Sequence, residues 1–119
     1  MWPFGRSPQG SAQVKGIGVR EVRARVKAGA KLLDVRSPRE FQALHPAGAV
    51  NVPPDRIKRD EVGLPHDAEI LVICLQGRRS KKAARQLAAL GYTNVTDVLG
   101  GMEHWVKFGL PVKRSRKAK

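Results

Sequence analysis

The chain contains a single cysteine, Cys74, at the end of the apolar run EILVIC and directly before the loop LQGRR. A cysteine that only fills a core behaves as a small hydrophobic side chain and needs no neighbouring cations. Gly77, Arg78 and Arg79 follow it closely. Glycine takes the positive φ that a tight loop requires without steric cost. The pattern predicts a reactive cysteine in a loop that binds an anion.

Positive groups surround this cysteine from two sources. The helical segment SKKAARQLAALG follows the loop, so backbone N–H groups of the loop and of the helix N-terminus converge on the sulfur. Arg78, Arg79, Lys81 and Lys82 add positive potential, which favours a nucleophilic thiolate and the approach of an anionic substrate. The alternative is a buried structural cysteine beside a loop that is merely basic.

The elements that must position the loop alternate between strand and helix. Apolar runs predict strands in KLLDVR, VNV, EILVIC and NVTDVL, and amphipathic spacing predicts helices in VREVRARVKAG, SPREFQAL, SKKAARQLAALG and GGMEHWVKFG. This order implies an α/β fold with a central parallel β-sheet flanked by helices on both faces. Cys74 ends its strand, and ligands of such sheets bind beyond the carboxyl ends of the strands.

Two helices carry further local signals. Ser37 as N-cap, Pro38 at the first helical position and Glu40 three residues after the cap predict a capping box. In the last helix, Trp105 and Phe108 are predicted to pack inward.

Length and composition suit one domain. The 119 residues are 41% hydrophobic, enough for an ordinary core. Residues 1–13, with two prolines and two glycines, are predicted to form a flexible N-terminal arm. Residues 14–112 are the predicted domain, and 113–119 a basic C-terminal tail.

The composition also bears on location and cofactors. No apolar stretch approaches the ~20 residues of a membrane span, and the first residues lack the apolar segment of a secretory signal. One cysteine forms no internal disulfide, which suits a reducing compartment, so a cytoplasmic protein is expected. Three scattered histidines offer no metal-ligand spacing, and we expect no metal or other cofactor.

A net charge of +13 predicts anionic partners. The tail KRSRKAK contributes five of the cations and is interpreted as a solvated segment. A contact of this tail with nucleic acid or a membrane surface is the alternative, which no interleaved aromatic residues support.

Four segments together resemble one family. CLQGRRS is similar to the Cys-x-x-Gly-x-Arg loop of the rhodanese sulfurtransferases, LLDVRSPREF to their Asp-Val-Arg segment, HPAGAVNVP to their His-x-x-Gly-Ala-x-Asn-x-Pro segment, and GGMEHWVKFGLPV to their closing segment. The order and spacing of these segments hold from about residue 14 to residue 113. The resemblance implies a single-domain rhodanese fold.

The resemblance also implies a reaction. A sulfane sulfur passes from a small anionic donor such as thiosulfate to Cys74 as a persulfide, and then to a thiophilic acceptor, cyanide in the standard assay or a sulfur-acceptor protein. The implied substrate-binding positions are Leu75, Gln76, Gly77, Arg78, Arg79 and Ser80. Within this set the amides of Leu75 to Arg79 cradle the transferred sulfur, and Arg79 holds the loop or binds the donor. A role of Arg78 in donor choice is inferred from its charge alone.

Some residues lie beside the matched motifs or depart from them. Asp34 and Arg36 follow a strand at the predicted active edge, where they support the pocket or join a structural hydrogen-bonded pair. His45 is interpreted as a turn histidine with structural hydrogen bonds, because attack by an activated thiolate does not require a separate base. Leu44, Ala47 and His104 depart from the residues usual in the family, and the first two put the local turn around His45 in doubt.

Two other functions compete with sulfur transfer. Cysteine phosphatases and arsenate reductases with a similar fold use a loop one residue longer, Cys-x5-Arg, and that register places Ser80 where their arginine stands. A rhodanese-fold persulfide carrier or interaction module that binds an anionic partner is the second competitor. Interaction modules typically lose the cysteine, which this chain keeps.

Overall fold

Strands and helices alternate along residues 14–115, the part of the chain that the computed structural model describes. The elements are β1 (Lys15–Gly18), a 3₁₀ turn (Val19–Glu21), α1 (Val22–Lys27), β2 (Lys31–Asp34), α2 (Pro38–Ala43), β3 (His45–Pro46), β4 (Val50–Asn51), α3 (Pro54–Lys58), β5 (Ile70–Ile73), α4 (Arg78–Ala89), β6 (Val95–Leu99), α5 (Gly101–Lys107) and β7 (Val112–Lys113).

Within the described residues the main sheet has five strands in the order β1-β6-β5-β2-β4, and every neighbouring pair is parallel. All four residues of β5 are buried, as expected for a central strand covered on both faces. The predicted α/β fold with a central parallel sheet is confirmed. A separate antiparallel pair, β3 with β7, brings His45 opposite Lys113.

The core lies in two layers, one on each face of the sheet. On one face α3 and α4 pack through Ile57, Ala83 and Leu87, and the sulfur of Cys74 belongs to this layer. On the other face α1 and α5 pack through Val22, Met102 and Trp105. The alternation of side chains along β5 sends its residues to both layers. Cys74 is therefore held beneath the first turn of α4.

Some predicted elements differ from the structure. The sequence pattern did not predict β1, because Lys15–Gly18 has one buried apolar side chain, Ile17, and within the described part of the chain pairs only with β6. The predicted helix over 19–29 begins instead as a 3₁₀ turn, and α1 ends at Lys27. The inward packing of Trp105 is confirmed, since this side chain is fully buried.

The prediction for Phe108 is wrong. The residue is 46% exposed because α5 ends at Lys107, so Phe108 follows the last turn and leaves the inward face. The guanidinium of Arg20 covers the ring, 4.8 Å from its centroid. This cation–π contact replaces core packing there.

The predicted N-terminal arm, 1–13, and residues 116–119 of the predicted tail lie outside the described residues. Lys113, the first residue of that tail, belongs to β7. No helix between residues 14 and 115 is both long and apolar enough to cross a membrane.

Candidate active site

Cys74 follows the last residue of β5 at the carboxyl edge of the sheet. Its residue exposure is 1%, while the next two residues, Leu75 and Gln76, are exposed. The sulfur therefore lies at the base of the loop, with the loop backbone above it. At this depth the sulfur is accessible to a small reactant that enters between the loop residues.

Two backbone N–H groups point at the sulfur. The N–H of Gly77 donates to Cys74 Sγ at 3.1 Å and the N–H of Ser80 at 3.2 Å. Gly77 has φ +99°, the positive φ predicted for it, and this lets the loop fold back over the cysteine. The helix begins at Arg78, two residues before the predicted start, so the Ser80 N–H is one of the first-turn donors without an intrahelical partner.

The Ser80 side chain connects the sulfur to a carboxylate. The Cys74 thiol donates to Ser80 Oγ over 3.3 Å, and that hydroxyl donates to Asp97 Oδ1 over 2.5 Å. Burial raises the pKa of Asp97, and the Ser80 hydrogen bond opposes this shift. Sequence reasoning missed Asp97. The available signal was a lone acid in the otherwise uncharged strand segment NVTDVL.

Arg79 is held by the capping-box glutamate of α2. Its Nη1 and Nη2 donate to the two carboxylate oxygens of Glu40 at 2.9 and 3.1 Å. This hydrogen bonding lowers the pKa of Glu40 to about 2 and raises the pKa of Arg79. The geometry places Arg79 as a tie between the loop and α2. Arg78 is exposed and makes no ion pair with any residue from 14 to 115.

The N-terminus of α5 holds the other side of the loop. The N–H of Met102 donates to the Cys74 carbonyl at 2.8 Å, and the N–H of Glu103 to the Leu75 carbonyl at 3.1 Å. The Glu103 carboxylate also accepts from Gln76 Nε2 at 3.0 Å. Gly101 makes this approach possible, because a Cβ there would lie 2.4 Å from the Cys74 carbonyl oxygen. The loop is thus fixed from both sides.

Asp34 and Arg36 form a buried ion pair at the end of β2, the strand that neighbours β5, and in the residues that follow it. The guanidinium donates to both carboxylate oxygens, with the Nη2–Oδ2 distance 2.8 Å, and Nη2 also donates to the Leu44 carbonyl. Asn51 Nδ2 donates to both backbone carbonyls of the pair at 2.9 Å. The pair supports the fold next to β5 and makes no hydrogen bond to Cys74.

The other residues singled out by sequence have structural contacts. His45 Nδ1 donates to the Phe41 carbonyl at 2.7 Å, and its ring stacks on that of Phe41. Leu44 has φ −170°, an extended conformation that needs no glycine. The N–H of Ala47 donates to the Pro111 carbonyl at 3.0 Å, a bond that proline cannot make.

His104 is exposed on α5 and contacts the Phe108 ring edge-on. Among residues 14–115, no cluster of three or more histidine, cysteine or acidic side chains is arranged to hold a metal ion.

Comparison with known proteins places this geometry in a family. The rhodanese-like domain family matches residues 19–108. Thiosulfate sulfurtransferase 16, chloroplastic, of Arabidopsis thaliana is 39% identical over 98 residues, which are 72% of this chain and 82% of that protein. The putative sulfur carrier protein YrkF of Bacillus subtilis is 31% identical over 83% of this chain, but the match spans only 55% of that protein.

A solved structure agrees with these sequence matches. The crystal structure of a rhodanese-related protein from Thermoplasma volcanium has a TM-score of 0.75 and 32% identity, with 83% of this chain and 97% of that chain covered. The family match covers well over half of the 119 residues. The chain therefore belongs to the rhodanese-like domain family of sulfurtransferases.

Proposed function

We propose that this protein moves a sulfane sulfur from thiosulfate or a similar anionic donor to a thiophilic acceptor through a persulfide on Cys74. The observation that carries the proposal is the pair of backbone N–H groups, from Gly77 and Ser80, that donate to Sγ. Donors arranged in this way stabilise negative charge on sulfur, first on the thiolate and then on the persulfide. A cytoplasmic location is part of the proposal.

The reaction has two halves. The Cys74 thiolate attacks the outer sulfur of thiosulfate, a new S–S bond forms, and sulfite leaves with the electron pair of the broken S–S bond. An acceptor such as cyanide then attacks the outer sulfur and becomes thiocyanate, and the Cys74 thiolate leaves. No step needs a metal or an added redox partner.

The loop dimensions favour sulfur over phosphate. In a phosphatase register the anion-binding arginine would stand at position 80, but this residue is a serine whose side chain is buried against Cys74 and Asp97. Arg79 is turned toward Glu40 instead. Phosphatase and arsenate reductase activities are therefore the less favoured alternatives.

The acceptor is a small molecule or a protein. The exposed cations Arg78, Lys81 and Lys82 lie at the start of α4 beside the loop, which suits an acidic acceptor protein. The name of the Bacillus subtilis relative, a putative sulfur carrier, supports a carrier that delivers its persulfide to a partner. Binding of a partner by a variant without Cys74 would favour the interaction-module alternative.

The test is intact-mass measurement of reduced protein before and after thiosulfate, and again after cyanide. We expect the gain of one sulfur, its removal as thiocyanate, and neither event in Cys74→Ser. If folded, reduced protein gains no sulfur from thiosulfate or from a persulfide donor, the proposed function is wrong. Hydrolysis of phosphate esters would then support the phosphatase alternative, and reduction of arsenate the arsenate reductase alternative.

A further inference from the structure

Three buried polar side chains form a line behind the reactive sulfur. Cys74, Ser80 and Asp97 have residue exposures of 1%, 0% and 2%. They come from the end of β5, the first turn of α4 and the middle of β6. Two hydrogen bonds join them, one of 3.3 Å between Sγ and the Ser80 hydroxyl and one of 2.5 Å between that hydroxyl and Asp97 Oδ1.

The hydroxyl between the two acids has a single proton. While Ser80 donates to the Asp97 carboxylate, its oxygen faces Cys74 as an acceptor and binds the S–H of the thiol. If Asp97 carries a proton, both bonds reverse, so the carboxyl donates to Ser80 and Ser80 donates to a thiolate. The line of groups can therefore move one proton between sulfur and carboxylate without solvent.

Asp97 is placed to accept that proton. It is buried, and its Oδ2 finds no hydrogen-bond partner among residues 14–115. On the neighbouring strands it lies opposite Gly16 of β1 and Val72 of β5, which bring no charge.

The charges that face Asp97 come from two elements. Lys81 and Arg85 of α4 and Lys15 of β1 line the cavity that Asp97 also lines. None of these three cations comes within ion-pair distance of its carboxylate in the described part of the chain. Burial raises the pKa of Asp97 despite the attraction of Lys81 and Arg85.

We propose that Cys74 and Asp97 share one proton through the Ser80 hydroxyl, and that Asp97 holds this proton while Cys74 carries sulfur. The inference rests on the proposed sulfur transfer and extends it to the protonation of the site. Asp97 is a positioning residue, because it acts on the sulfur only through Ser80. Two anions this close in a buried site raise each other's free energy, so one retained proton stabilises every state of the cycle.

The proton is conserved through both half-reactions. In loading, the thiol, the Asp97 carboxylate and thiosulfate become the anionic persulfide, the Asp97 carboxylic acid and sulfite. In unloading, the persulfide and cyanide become thiocyanate and a thiolate, which takes the proton back from Asp97 through Ser80. The leaving sulfur is thus protonated as its bond to the outer sulfur breaks, which is general acid catalysis by a relay.

The first test follows the Asp97 carboxyl directly. Protein with ¹³C in its aspartate carboxyl groups is titrated by NMR, reduced and after thiosulfate loading, with Asp97→Asn to assign the signal. We expect sulfur loading to move the titration of Asp97 to higher pH and to leave it protonated near neutral pH. Cys74→Ser treated in the same way should show no change. An Asp97 signal that titrates identically with and without bound sulfur would overturn the proposal.

The second test is the single-turnover rate of sulfur release to cyanide. We expect Asp97→Asn and Ser80→Ala each to release sulfur about a hundredfold more slowly, the lower end of what general acid–base catalysis contributes. The double variant should be no slower than either single variant, because the two residues act as one unit. Thr96→Val is the matched control, since it removes a buried hydroxyl next to Asp97 that has no partner in the described structure, and we expect the wild-type rate. Wild-type release by folded Asp97→Asn or Ser80→Ala overturns the proposal.

A third readout separates this proposal from sulfur transfer itself. The rate of Cys74 alkylation by iodoacetamide is measured against pH in reduced protein, so it needs no sulfur donor. We expect Asp97→Asn to shift this profile to lower pH, because the thiolate then forms without a carboxylate nearby. If wild-type protein accepts no sulfur, the proposed function fails, whereas an unshifted alkylation profile contradicts the shared proton. Should Asp97→Asn not fold, Ser80→Ala is compared in all three measurements.

Discussion

At the scale of single residues, the Asp34–Arg36 pair shows why the neighbourhood of the loop is rigid. The carboxylate is fully buried and accepts from the guanidinium and from the Arg36 backbone N–H. We expect Asp34→Ala to lower the free energy of unfolding by about 3–5 kcal/mol, the usual cost of leaving a buried charge unpaired. Urea denaturation of the reduced protein measures this change.

A double variant provides the control for this pair. Replacing Asp34 by leucine and Arg36 by methionine together leaves no unpaired charge, so we expect it to cost less than Asp34→Ala alone. If the double variant loses as much stability as Asp34→Ala, or more, the pair contributes through packing and not through its charges. The outcome matters for the site because Val35 donates from its backbone to the Ile73 carbonyl, one residue before Cys74.

Residue-level prediction from sequence was good where the cause is local. The positive φ of Gly77 and the capping box of Ser37 and Glu40 follow from the steric and hydrogen-bonding properties of those residues, and both are confirmed. The second role of Glu40, as the partner of Arg79 39 positions away, was not predicted. Contacts of Ser80 with Asp97 likewise depend on strand register, which one sequence does not specify.

At the scale of elements, the contact between α5 and the loop depends on a glycine. Gly101 has φ +57°, and a Cβ there would meet the Cys74 and Leu75 carbonyl oxygens at 2.4 and 2.6 Å. We expect Gly101→Ala to lower the melting temperature by at least several degrees, because overpacking costs about 1–3 kcal/mol and 1 kcal/mol is worth about 4–8 °C in a domain of this size. The rate of sulfur loading should fall with it, since the loop carbonyls must move.

Gly18→Ala is the matched control for that substitution. Gly18 precedes the 3₁₀ turn with φ −79°, and no atom of residues 14–115 beyond its chain neighbours lies within 4 Å of the Cβ position. We expect its melting temperature and loading rate to stay close to those of the wild type. Equal effects of the two substitutions would mean that α5 does not set the loop conformation.

The tie between α2 and the loop is predicted to depend on pH. The pKa of Glu40 is lowered from 4.5 to about 2 in the folded protein, chiefly by Arg79, so its stabilisation is complete above pH 4.5 and disappears as pH falls toward 2. The ion pair is partly exposed, so we expect less than about 1 kcal/mol. Glu40→Gln keeps the capping function and removes the charge.

Denaturant unfolding of wild type and Glu40→Gln between pH 7 and pH 2.5 checks this prediction. We expect the difference between them to be constant at the higher pH values and to shrink below pH 4.5. A difference that does not change with pH would assign the stabilisation to packing of Arg79 rather than to its charge pairing.

Prediction of whole elements succeeded for strongly patterned segments. The apolar run that forms β5 and the amphipathic run that forms α4 have enough periodic residues to define their type. The edge strand β1 has one buried apolar side chain and was missed, and Phe108 was misplaced because α5 stops one residue before it. Pairing with β6 stabilises β1, and the Arg20 guanidinium covers the exposed Phe108 ring. Both are tertiary contacts.

At the scale of the whole molecule, the net charge of +13 acts on everything that approaches the loop. The exposed cations of α4 concentrate this field beside Cys74, while two acidic side chains that contact the loop, Glu40 and Glu103, are engaged by Arg79 and Gln76. Such a field raises the encounter rate of anions with the loop, whereas its effect on thiolate formation is the same for an anionic and a neutral reagent. An anionic and a neutral reagent of similar size should therefore behave differently.

The last prediction uses that difference. We expect Cys74 to react with iodoacetate faster, relative to iodoacetamide, at 0.01 M than at 1 M salt, with the ratio falling by about tenfold as the Debye length shrinks from ~30 to ~3 Å. Arg78→Gln should reduce the ratio at low salt. Lys31→Gln removes one exposed charge at the amino end of β2. The amino ends of the parallel strands lie opposite the carboxyl end where Cys74 is, so this variant should leave the ratio almost unchanged. If both variants lower the ratio equally, overall charge governs anion approach, and the cations beside the loop have no special role in selecting a sulfur donor.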